Sequence, residues 1–116
     1  MTTKHTPGPW YTGEPFEAFP GAGLRFHISQ AEGAPYTPHY SDVAQFVAET
    51  ISSEKLAIQQ ANAWLIAAAP DLLEALIAME QEKSDYMTRN ALGDPSVETT
   101  NKMARAAIAK AKGEQQ

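Results

Sequence analysis

The chain contains no cysteine. That excludes a disulfide framework and a thiolate zinc site, and it fits a reducing cytoplasm. Basic residues are scarce. Nine Lys and Arg stand against 14 Asp and Glu, giving a net charge of −5. A surface of that sign does not displace counterions from a phosphate backbone, so general binding to duplex DNA is excluded, although a local basic patch is not. The start, Met1-Thr2-Thr3-Lys4-His5-Thr6-Pro7, lacks the apolar run of a signal peptide. The longest apolar run, Ala63 to Ala69, is rich in alanine and ends at a proline. It falls short of the ~18 residues that a membrane span needs, so no membrane partner is expected. There is no HExxH motif, phosphate loop, dinucleotide glycine pattern or nucleophile elbow. His5, His27 and His39 are scattered without ligand spacing. The expectation is therefore no metal, no cofactor and no enzyme.

What is present divides near residue 52. Five glycines and six prolines sit in the first 38 residues, with three of the four phenylalanines and three of the four tyrosines before residue 41. Beyond it the chain is rich in Ala, Leu, Glu, Gln and Lys, which favour helix. A chain of 116 residues is long enough for one domain, read here as a β-rich part (1–51) and a helical part (52–116).

Three short strands are expected in the first part. Trp10-Tyr11-Thr12 is stopped by Gly13. Leu24 to Ser29 alternates, with Leu24, Phe26 and Ile28 on one face and Arg25, His27 and Ser29 on the other. Val43 to Ala48 is the third, after a loop from Ala31 to Tyr40 that holds Gly33, Pro35 and Pro38. Such a set makes a small antiparallel sheet with one wet face, and it needs a helix packed on it.

Three helices are expected in the second part. The first is capped by Ser52 or Ser53 and runs to Ala69. Pro70 stops it and opens the second helix, with Asp71 and Glu74 in the positive first turn. That helix becomes polar after Glu80. Gly93-Asp94-Pro95 separates it from a third helix reaching about Ala111, with Gly93 as left-handed exit and Asp94 as cap. The fold class is α+β: a three-stranded antiparallel meander followed by three helices, the last two forming a projecting hairpin. Alanine buries little area, so such a hairpin is weakly held alone and a homo-oligomer is expected.

Two segments carry a resemblance. His5-Thr6-Pro7-Gly8-Pro9-Trp10 contains TPGPW, and Asn62 to Leu76 reads NAWLIAAAPDLLEAL. With both, the chain resembles a group of small phage and prophage proteins. The resemblance implies an accessory protein made in the host cytoplasm that acts by binding, for instance as an antagonist of host defence.

Several residues admit a structural and a functional reading. Trp10 either plugs the core, its N–H on a carbonyl, or offers a platform on which a base stacks. Asn62, mid-helix, either ties the helix to the sheet or touches a ligand. Lys102 and Arg105 either pair with the acidic preceding helix or grip a phosphate. In the second case a nucleotide signal is sequestered by an oligomer, with Arg105 and Lys102 on phosphate and Trp10 or Tyr86 on the base. The alternative is an inhibitor that docks on a basic host or phage enzyme. If Arg105 lies free on an exposed face, reversing its charge shifts stability by no more than ~0.5 kcal/mol.

Overall fold

The computed structural model describes residues 5–30 and 46–114. The loop expected over 31–40, His39 within it, and the first residues of the third strand lie outside that range. The chain forms two compact units, Thr6–Pro70 and Asp71–Gln116. The first part of the helix packs on the sheet and belongs to the first of them.

In the first unit, β1 (Tyr11–Thr12), β2 (His27–Ser29) and β3 (Phe46–Glu49) form an antiparallel meander in the order β1-β2-β3. Ile28 lies opposite Thr12 on one side and Ala48 on the other, and His27 lies opposite Glu49. A bulge between Ile28 and Ser29 skips Val47. Phe16 and Arg25 extend the pairing through two backbone hydrogen bonds of 2.9 and 3.0 Å. Phe26 and Ile28 point to one face and bury against Ala63 of α1 (Leu56–Arg89). A residue as small as Ala63 lets helix and sheet approach closely.

The other face of β2 is not wet as the alternation implied. His27 and Ser29 are buried as fully as their apolar neighbours, while Leu24, expected inside, is 42 % exposed. Leu24 lies outside the regular ladder, and its carbonyl accepts a bond from Gln59. Gln59 fastens the start of α1. Its amide donates to Leu24 O (3.1 Å) and Glu54 O (2.9 Å), and its carbonyl accepts from Thr50 Oγ1 (2.5 Å). Thr50 Oγ1 in turn accepts from Phe26 N at 2.9 Å. Gln59 is buried with both ends of its amide satisfied; it ties the first turn to the sheet without capping it, and α1 starts later than expected, at Leu56.

The structure has two helices, not three, because α1 runs through Pro70 for 34 residues. A proline inside a helix loses one hydrogen bond and crowds the carbonyl four residues back, which costs ~3 kcal/mol or more. Good helix formers on both sides and burial of the ring offset that cost. Part of the burial comes from Gly8: a Cβ there would lie 2.7 Å from Pro70 Cβ. Trp10 packs on the Phe26–Ile28–Ala63 cluster and its indole N–H donates to Thr6 O at 3.1 Å. The TPGPW segment therefore closes over the part of α1 that ends at Pro70.

In the second unit, α1 leaves the helical path through Ala91, at φ 53, with Leu92 N–H bonded to Met87 O (2.9 Å). That geometry is the usual glycine exit, taken two residues before Gly93. Asp94 caps a 3-10 turn, Pro95–Val97, by accepting from Ser96 N. Glu98 then caps α2 (Thr99–Ala111) by accepting from Asn101 N at 3.0 Å.

Gly8→Ala tests the Pro70 contact. The pyrrolidine ring has no flexible end to move, so the added methyl must displace backbone. We expect a loss of about 1–3 kcal/mol in chemical denaturation, the range for overpacking.

Candidate functional site

Three places on the described residues gather chemistry. The first is in the helical unit. Arg105 Nε pairs with Glu80 Oε1, and its Nη2 donates to Ser84 Oγ at 3.1 Å. Ser84 donates to Glu80 (2.9 Å) and accepts from the buried Asn101 amide (3.0 Å). One turn away, Lys83 pairs with Glu98 at 2.8 Å and also contacts Thr100. These bonds join the second part of α1 to α2. Arg105's hydrogen bond holds the Glu80 carboxyl below the usual carboxylate range. The Lys83 ammonium, the Asn101 N–H and the Thr100 hydroxyl together lower Glu98 to about 2.

The second place is a cleft of about 440 Å³ on the sheet unit, lined by Phe16, Ala18, Arg25, His27, Val47, Ala48 and Glu49. Glu49 bridges two bases, with Oε1 2.9 Å from Arg25 Nη1 and Oε2 2.8 Å from His27 Nε2. Arg25 also donates to Ala22 O (3.0 Å) and Ser52 Oγ (3.3 Å). The His27 ring lies edge-on to Phe16, with centroids 4.0 Å apart. Burial pushes His27 below its ordinary value, and the Glu49 carboxylate opposes that only in part. A neutral imidazole beside a carboxylate already held by an arginine can orient a ligand.

The third place is the side of α1 that the chain leaves uncovered. Among the described residues five apolar side chains are buried: Phe26, Ile28, Ala63, Met87 and Ala109. On α1 alone, Leu56, Ile58, Trp64, Leu65, Leu72, Met79 and Tyr86 are exposed. By length and composition alone, α1 is also long and apolar enough to cross a membrane, with a mean hydropathy of 1.3 over its most apolar window.

The residues singled out by sequence are not gathered at one point. Trp10 belongs to the core of the first unit, and Asn62 is exposed on α1 in that unit. Lys102 and Tyr86 are exposed in the helical unit, where Arg105 is engaged by Glu80 and Ser84. Sequence reasoning placed Arg25 and His27 together on one strand face but missed Glu49, which is 24 residues from Arg25. The exposed apolar side of α1 was also missed.

The model of the Salmonella phage P22 protein Y8K6 family matches residues 1–115. The chain belongs to that family. It is thus a small phage protein, and its family extends over both units. No curated protein and no solved structure matches it.

Two outcomes follow. Arg105→Glu would set a second carboxylate against Glu80, whose side chain is only 12 % exposed. We expect it to destabilise the helical unit by about 1–2 kcal/mol, the scale of a hydrogen bond to a charged group, and Lys102→Glu to change stability by less than about 0.5 kcal/mol. Thermal melts of both variants check this. The second concerns acid. A carboxylate with a depressed folded pKa stabilises fully above its unfolded value of 4.5 and loses that contribution as pH falls through about 2. The melting temperature should therefore drop across that window, and Glu98→Gln should drop less.

Proposed function

We propose that this phage protein is a non-catalytic accessory protein that acts in the host cytoplasm through protein–protein contact made by the exposed side of α1. The imbalance between a thin core and a richly apolar outer helix carries the reading. Scattered exposed leucines are normal on a soluble protein, whereas a contiguous apolar strip marks an interaction surface. The helical unit is joined by polar contacts, Arg105–Glu80, Lys83–Glu98 and Asn101–Ser84, beside the buried Met87 and Ala109, while Leu72, Met79 and Tyr86 of α1 stay exposed. The same contacts weaken the case for sequestration of a nucleotide by Arg105, because that guanidinium already has its anion. An antagonist that docks on a host or phage protein fits this surface.

A second reading rests on the cleft. Phe16 in its wall is the group on which an aromatic ligand would pack, and Arg25, which like Arg105 already has a carboxylate partner, would have to exchange Glu49 for the ligand's anion if a sequestered nucleotide signal sat there.

Tagged protein purified gently from host cells separates the two. A polypeptide that co-purifies at fixed stoichiometry, and is lost with Met79→Glu but kept with Arg25→Ala, supports the first reading. A small molecule released by heating, lost with Arg25→Ala and kept with Met79→Glu, overturns it in favour of the cleft.

A further inference from the structure

The exposed side of α1 repeats every seven residues. Ile58, Leu65, Leu72, Met79 and Tyr86 follow one another at that spacing along the one helix, each between 44 and 68 % exposed. Three residues after the first three of them come Ala61, Ala68 and Ala75. Large and small residues therefore alternate in the a and d positions of a heptad. The register also explains the other side of the helix. Ala63, Pro70 and Ser84, each five residues beyond an a position, are buried within their own units.

A strict seven-residue repeat is what a second helix of the same pitch demands, because it keeps the seam facing its partner turn after turn. We propose that the partner is a second copy of this chain, with α1 antiparallel to α1 about a two-fold axis near position 70. This rests on the protein-contact reading above. In that register Leu65 meets Ala75, Leu72 meets Ala68 and Met79 meets Ala61 of the other copy, while Ile58 at the end of the seam falls opposite Glu82. The alanines let the helix axes approach to the near end of the ~8–10 Å range. From Ile58 to Met79 neither a nor d position carries a charge, so the centre of the seam is uncharged, while the two Asp71 carboxylates flank it near the axis. Asn62 is exposed beside this seam, and a buried or lipid-facing amide needs a hydrogen-bonding partner, which a second polypeptide supplies and a lipid tail does not.

The chain has no native cysteine, so a disulfide introduced at chosen positions reports the register directly. Leu65→Cys and Ala75→Cys are prepared as separate full-length proteins, mixed, and oxidised mildly. The seam predicts a joined pair in the mixture, little joining of Leu65→Cys with itself, and none at Thr88→Cys, which is exposed away from the seam. Light scattering of the wild type should give twice the chain mass, and Leu72→Glu should give the chain mass with unchanged helical circular dichroism. Equal joining at Thr88→Cys, or self-joining of Leu65→Cys, overturns the antiparallel seam. A wild-type monomer that floats with lipid vesicles overturns it in favour of a membrane surface. A wild-type monomer that still loses a different protein partner on Met79→Glu overturns the second copy and leaves the protein-contact reading standing.

Discussion

Helix α1 carries apolar side chains on more than one side, and its own chain covers only one of them. In the first unit that covered side is narrow. Phe26 and Ile28 supply the volume, Ala63 supplies the clearance, and Gln59 fixes where the helix begins. In the second unit the covered side mixes Met87 and Ala109 with the buried polar pair Ser84 and Asn101, and Glu80–Arg105 and Lys83–Glu98 lie nearby. Hydrogen-bonded networks of this kind specify how two helices meet but add little net stability each. A chain built in this way leaves a large share of its hydrophobic driving force to contacts outside itself.

The sheet was legible wherever period two survives. Phe26 and Ile28 were placed inward correctly; Asp94 was read as a helix cap, but it caps a 3-10 turn and the helix itself starts at Thr99 with Glu98 as its cap. Burial of His27 was not legible, because the groups that cover it, Phe16 and Glu49, come from separate segments. Pro70 misled the reading for a physical reason. Its local penalty is real, but packing of its ring against Gly8 is a tertiary term that no local propensity contains. That error concealed another. With the helix divided at Pro70, neither half is long enough to show a seven-residue repeat, so Ile58, Leu65, Leu72, Met79 and Tyr86 fell into separate faces of separate helices. Pairing of Arg105 with the acidic preceding helix was one of the two readings the sequence offered, but the partner, Glu80, 25 residues earlier, was not legible because the sequence does not fix the register of the helix pair.

The phage family covers residues 1–115, and so both units. Within the first unit the Gly8–Pro70 contact packs against α1, and within the second α2 and the capped 3-10 turn do so through polar contacts.

The most direct measurement of whether contacts outside the chain cover α1 is the melting temperature of the wild-type protein as a function of its own concentration. If a second copy covers α1, association and folding are linked, and the transition moves to higher temperature as the protein is concentrated from the low to the high micromolar range. A transition that stays at one temperature over that range, with the helical signal intact throughout, contradicts the account.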